Sequence, residues 1–136
     1  MKLSAEPSRE LFAGARVARL ATVAPDGRPH QVPIVFAVTG DVIVTAVDDV
    51  KPKRTRSLAR LANLAAEPRV TVLADHYDED WTHLWWVRAD GVAVVADSDA
   101  DAAGMLASKY PQYREQPPPG PVIRIEVVRW TGWSAR

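Results

Sequence analysis

The chain has 136 residues, with 17 basic and 17 acidic side chains, a formal charge of zero and no cysteine. Hydrophobic residues make up 47% and charged residues 25%, the balance of one globular domain with a proper core, taken as spanning residues 1–136. Disulfides, thiolate metal sites and cysteine nucleophiles are excluded. No apolar run reaches membrane-spanning length, and residues 1–10 are too polar for an export signal, so the cytoplasm is the expected compartment.

In chain order, the first element reads as a helix. Ser4 is a possible cap, Pro7 suits an early turn, and Gly14 ends the run. Residues 17–23 form a strand, and Pro25, Asp26 and Gly27 supply a hairpin turn, because Asp-Gly tolerates the positive φ such turns need. A second strand is expected over 30–38, irregular at Pro33, which has no N–H to give to a ladder. After a turn at Thr39, Gly40 and Asp41, a β-branched third strand covers 42–47.

A short helix follows over 58–66, with Leu58, Leu61, Ala62 and Ala65 on one face and Pro68 as its stop. A strand over 69–75, an acidic loop over 76–80 and a long strand or strand pair over 82–96 come next, with Gly91 as its bend or bulge. Asp97 or Ser98 is the expected cap of a helix over 99–110. A proline-rich connector over 116–120 leads to a last alternating strand over 122–130. Tight turns between successive strands favour antiparallel pairing. The expected architecture is a mainly β, closed or nearly closed small barrel with peripheral helices.

The most informative stretch lies just ahead of Leu58. Five basic residues fall between Lys51 and Arg60, in a chain with no general basic bias. Cations at a helix N-terminus oppose the helix dipole unless an anion sits there. A phosphate would be held by free backbone N–H groups and by the cations together. Lys51, Lys53, Arg54 and Arg56, with the hydroxyl of Thr55, therefore read as a phosphate clamp. A solvated charged loop or a nucleic-acid patch would show the same residues. Asp48, Asp49 and the acidic run from Asp75 to Asp80 oppose a field for nucleic acid, so no nucleic-acid or membrane partner is expected.

Other chemistry is thinly represented. His30, His76 and His83 show no metal-ligand spacing, so no metal site is assigned. No glycine-rich dinucleotide motif, P-loop or nucleophile elbow is present, and no catalytic acid–base residue is assigned. Trp85 and Trp86 are adjacent in a strand and must face opposite ways, one into the core and one outward. The outward one covers an interface or walls a pocket, or both are simply structural. Trp86 is grouped with the cofactor-binding candidates.

The run Leu20-Ala-Thr-Val-Ala-Pro-Asp-Gly-Arg-Pro-His-Gln-Val-Pro-Ile-Val-Phe36 is followed by the strand over 42–45, then Lys53-Arg-Thr-Arg-Ser-Leu58, then Glu67-Pro-Arg-Val-Thr-Val-Leu73. This order and spacing resembles the split β-barrel flavin- and deazaflavin-binding family related to pyridoxamine 5′-phosphate oxidase. The pattern Asp80-Trp-Thr-His-Leu-Trp-Trp-Val-Arg-Ala-Asp-Gly91 resembles its deazaflavin-dependent actinobacterial branch. The resemblance implies a six- to seven-stranded antiparallel split barrel of the FMN-binding-protein type. It also implies a homodimer with cofactor sites at the subunit interface.

Carried over residue by residue, it places Pro33, Ile34, Val35, Thr45 and Ala46 along the cofactor ring. It places Lys53, Arg54, Thr55 and Arg56 at the phosphate, with Lys51 beside them. Arg54 stands where many relatives carry lysine, and Ser57 where many carry asparagine. Arginine keeps the charge and adds a planar fork suited to phosphate. The implied function is hydride transfer between coenzyme F420 and an electron-poor small molecule of enone, quinone or tetrapyrrole type. An FMN-binding oxidase or reductase of the same fold, or a non-catalytic F420 carrier, is the alternative.

Overall fold

The structure is a computed structural model that describes residues 1–47 and 54–136, the side chains of 54–58 excepted. The described residues form one eight-stranded antiparallel sheet with four helices around it. The short β1 (Lys2–Leu3) precedes α1 (Ala5–Gly14), and β2 (Ala18–Val23) and β3 (Pro29–Ile34) form the first hairpin. The Asp-Gly turn works as expected, with Gly27 at φ 88° and its N–H donating to Ala24 O at 2.8 Å.

The strand expected over 30–38 is two strands. β3 ends at Ile34, and β4 (Ala37–Thr39) begins after Val35 and Phe36. Pro33 stays inside β3, opposite Arg19, where β3 closes one end of the sheet and needs no outward N–H. The strand order is β3-β2-β6-β7-β8-β5-β4, where β5 is Val42–Ala46, β6 Arg69–His76, β7 Trp85–Ala96 and β8 Val122–Ser134. Its first and last members are thus separated in sequence by only Val35 and Phe36. The three Cα–Cα steps from Ile34 to Ala37 span about 11 Å at most, so the sheet has to curl through almost a full circle. This is the split barrel in physical terms.

Phe12, Leu20, Phe36, Ile43, Val72, Val87, Ile123 and Ile125 are fully buried in the main core. Val44, Leu106, Tyr110, Tyr113 and Val122 form a second core, packed with α3 (Ala100–Lys109) and α4 (Pro111–Glu115). Trp130 packs edge-on against Phe12 and donates its indole N–H to Asp41.

Other boundaries differ from expectation for local reasons. α2 (Arg54–Ala66) starts four residues before Leu58, so Arg54, Thr55 and Arg56 lie in its first turn rather than ahead of it. Asp99, not Asp97 or Ser98, caps α3, accepting the Ala102 N–H at 3.0 Å and the Arg124 Nε at 2.6 Å. Ser4 holds the N-cap position of α1 without a side-chain capping bond. A 3-10 turn, Trp81–His83, precedes β7 and is capped by Asp80. β8 runs on past residue 130 because Thr131 to Ser134 pair with Arg88 to Trp85, and β1 pairs with its end.

The expected irregularity at Gly91 is a register shift between Asp90 and Gly91 on β7. A Cβ at Gly91 would stand 2.5 Å from Glu126 O and 2.8 Å from Ile125 Cγ2. Because the obstacle is backbone of the neighbouring strand, Gly91→Ala is expected to cost about 1–3 kcal/mol. Urea unfolding measures it, and an unchanged midpoint would contradict the close approach.

Candidate functional site

One cleft gathers residues from four separate segments. Val17 comes from the approach to β2, Pro33 to Val35 from the β3–β4 junction, Thr45 and Ala46 from the end of β5, and Arg60 from α2. Its volume is about 330 Å³. Ile34, Thr45 and Ala46 are buried in the wall, Val35 and Arg60 are half-buried, and Pro33 and Val17 stand exposed at the rim. The cleft exists because the two ends of the curled sheet meet here. β3 must give way to β4 at Val35, and β5 lies alongside.

Two hydroxyls fix that junction. Thr45 Oγ1 donates to Val35 O at 2.7 Å, tying β5 to the crossing segment. Tyr110 Oη accepts the Phe36 N–H at 3.1 Å, and its proton faces Phe36 O at 2.9 Å and Arg16 O at 3.0 Å. Burial pushes the Tyr110 phenol above its usual value, so it stays a neutral donor. These bonds brace the cleft wall from behind.

Lys109 braces the same corner. Its ammonium donates to Ala13 O at 3.1 Å and Ala15 O at 2.7 Å, at the C-terminal end of α1. It also lies 3.9 Å from the Phe36 ring centre, a cation–π contact. Burial, helped by the charge of Arg16, lowers its pKa from 10.5 to about 8. Between those two values the unfolded chain binds more protons than the folded one, so this group makes stability rise with pH across that window. That rising component should be missing from Lys109→Met. Denaturation midpoints from pH 7.5 to 10.5 test this, and parallel curves for the two proteins would contradict it.

Of the residues expected at a cofactor, Pro33, Ile34, Val35, Thr45 and Ala46 come together in this cleft. Lys51 and Lys53 lie outside the described residues. Arg54, Thr55 and Arg56 begin α2, with their side chains outside the description. Trp86 does not border the cleft. It sits on β7 in register with Asp75 and Trp133, half-buried, with the Arg88 guanidinium 5.8 Å from its ring centre. Trp85 packs on the barrel core, so the two tryptophans do face opposite ways.

Arg60 was not singled out from sequence. The signal was there: Arg56 and Arg60 are four residues apart and share a helical face. The cleft therefore touches the basic segment from both sides, through Ala46 before it and Arg60 after it. A larger groove of about 490 Å³ lies elsewhere, between Ala21, Val70, Gly91 and Val128, and holds none of the expected residues. Among the described residues no group of three or more His, Asp or Glu side chains is placed to hold a metal. His76 Nε2 and His83 Nδ1 each lie 3.1 Å from Asp78 Oδ2. No described helix is long and apolar enough to cross a membrane.

Comparison with known proteins places this architecture. No curated protein matches the chain. Among solved structures, the chain is similar to a FAD-binding protein from Mesorhizobium loti, with 21% identity, a TM-score of 0.74 and coverage of 97% of this chain and 95% of that one. It is similar to the FAD binding protein from Mycobacterium smegmatis, with 24% identity, a TM-score of 0.66 and coverage of 98% and 96%. It is also similar to HutZ, the heme storage protein from Vibrio cholerae, with 16% identity, a TM-score of 0.70 and coverage of 97% and 95%. At these identities the likeness concerns the fold alone. The family model described as pyridoxamine 5′-phosphate oxidase matches residues 5–134, nearly the whole length. With the curled sheet and its β3–β4 cleft, that match makes the chain a member of the pyridoxamine 5′-phosphate oxidase family.

Proposed function

We propose that this protein binds a flavin-type cofactor in the β3–β4 cleft and uses it for hydride transfer to an electron-poor small molecule. The observation that carries the reading is the convergence of Pro33 to Val35 and Thr45 to Ala46 beside Arg60, at the two ends of the basic segment. Apolar walls suit a planar ring and the cations suit its phosphate. The volume, about 330 Å³, is near the lower limit for a ligand pocket and accommodates a ring with its tail outside.

A bound flavin or deazaflavin supplies the hydride-carrying ring, so the protein has only to bind, orient and exclude water. Pro33, Ile34, Val35, Thr45 and Ala46 shape the surface for the ring. Lys51, Lys53, Arg54 and Arg56, with Arg60, neutralise the phosphate, and the Thr55 hydroxyl donates to it. The run from Asp80 to Gly91 favours coenzyme F420 as the cofactor. The names of the two FAD-binding relatives favour the second reading, an FMN or FAD enzyme of the same fold. The open rim at Pro33 and Val17 favours a homodimer in which the second copy covers the ring and contributes Trp86.

Purified protein is mixed with F420 or with FMN, and binding is read by fluorescence quenching. Reduced cofactor is then offered a panel of quinones and enones. The proposal expects tight F420 binding, turnover, and a dimer by light scattering. Protein that is yellow as purified, with FMN retained, would instead support the flavin reading. Tight F420 binding without turnover would make it a carrier. Binding of neither cofactor would overturn the proposal.

A further inference from the structure

α2 turns an asparagine toward the barrel. Asn63 and its neighbour Leu64 are both buried, at 5% and 3% exposure, and Leu61 and Leu64 pack on the main core. Asparagine is among the weaker residues for a helix interior, and burying its amide costs free energy unless the amide is bonded. Here Asn63 Nδ2 donates to Thr22 Oγ1 at 3.2 Å. Thr22 is itself buried, on the inward row of β2 with Ala18 and Leu20.

As packing, such a pair has no advantage, because apolar side chains of the same shape can replace both partners without loss. Its advantage is direction. Leucines hold a helix against a sheet without fixing its rotation, since apolar contact is non-directional. A hydrogen bond to one hydroxyl sets how far α2 turns and slides on β2. Arg60 precedes Asn63 by three residues, about 4.5 Å along the helix axis and about 60° around it. It is half-buried and lines the cleft. By helical spacing, Arg56 falls on the same side of α2. The strand that anchors Asn63 begins directly after Val17, a residue of the cleft rim. The buried serine, threonine and asparagine side chains among the described residues are Ser8, Thr22, Thr45 and Asn63. Three of these four make the two bonds that tie cleft elements together, Thr45 to Val35 and Asn63 to Thr22.

We propose that Asn63 is a positioning residue for the phosphate of the cofactor. Bonded to Thr22, it fixes the rotation of α2 so that Arg60 faces the β3–β4 cleft. The inference rests on that cleft holding the cofactor. Asn63 does not border the cleft and acts only through Arg60. Its loss therefore weakens ligands that carry a phosphate and spares those that do not.

The test is fluorescence titration of the whole protein with FMN and riboflavin, and with F420 and its phosphate-free deazariboflavin fragment. Each pair shares a ring, and only the first member carries phosphate. Asn63→Leu is expected to weaken FMN or F420 binding roughly tenfold and to leave the phosphate-free ligand unchanged. The Asn63→Leu/Thr22→Val double variant removes both partners, so its thermal midpoint should return close to the wild-type value. Its affinity for the phosphate-bearing ligand should stay low, which a purely stabilising pair would not produce. In an Arg60→Gln background, Asn63→Leu should weaken binding no further. Four results would overturn the inference: wild-type FMN and F420 affinity in Asn63→Leu, equal losses for both members of a pair, affinity regained together with stability in the double variant, or a loss that adds to that of Arg60→Gln. The cofactor reading fails differently. If the wild-type protein binds none of the four ligands, that reading falls and the inference with it. If it binds FMN or F420 and Asn63→Leu binds it equally well, only the inference falls.

Discussion

Tyr110→Phe is expected to lower the unfolding free energy by about 2–4 kcal/mol, although it deletes a single oxygen. The hydroxyl is the partner of the Phe36 N–H, the Phe36 carbonyl and the Arg16 carbonyl. Phe36 is fully buried, so its two backbone groups have no route to water once the oxygen is gone. The ring itself remains, with its edge-on contact to Tyr113 and the Arg16 guanidinium 4.7 Å from its centre, so packing loss does not confuse the result. Urea unfolding followed by tryptophan fluorescence gives the number. A loss below about 0.5 kcal/mol would mean that the junction satisfies its own backbone. The account also expects weaker cofactor binding in this variant, because Phe36 follows the cleft residue Val35 directly.

Arg60→Ala is expected to weaken binding of F420 or FMN by about 10- to 100-fold, the effect of losing one charge-assisted contact. Arg60→Lys should recover part of the loss, since it restores charge without the planar fork. The Lys53→Ala/Arg54→Ala double variant should lose about 1–3 kcal/mol of binding free energy for the same reason. Fluorescence titration reads all three, with thermal midpoints as the folding control. Wild-type affinity in Arg60→Ala and in the double variant together would remove the phosphate clamp from the account.

Local chemistry explains what the sequence made legible. The β2–β3 hairpin followed from Asp26-Gly27 and the register shift from Gly91, whereas the irregularity expected at Pro33 falls instead at Val35 and Phe36, because Pro33 sits on an end strand where its missing N–H costs no ladder bond. The cleft residues Pro33 to Val35 and Thr45 to Ala46 came through family resemblance, and the curled sheet brings them together. What stayed hidden depends on partners distant in the chain. β1 is two residues long and exists only as a neighbour of β8, and the end of β8 is a strand because β7 lies beside it. Asp99 outcompetes Asp97 and Ser98 as a cap because it also meets Arg124, 25 residues away.

The same logic applies around the site. Tyr110 looked like the end of a helix, and its role appears only when α3 is placed beside Phe36. Arg60 was readable from its spacing to Arg56, but the helix was expected to begin at residue 58, which put the basic residues before it and obscured their shared face. Of Trp85 and Trp86, expected only to face opposite ways, Trp86 is the outward one. It lies in the row after Arg88 rather than in the cleft, and strand register alone decides that.

The most direct measurement is a crystal structure of the protein soaked with F420 and, in parallel, with FMN. The account predicts the ring against Pro33, Ile34 and Val35 on one side and Thr45 and Ala46 on the other, with the phosphate among Lys53, Arg54, Arg56 and Arg60. A ring seated in the groove between Ala21 and Val128, or a phosphate that touches none of those basic side chains, would contradict it.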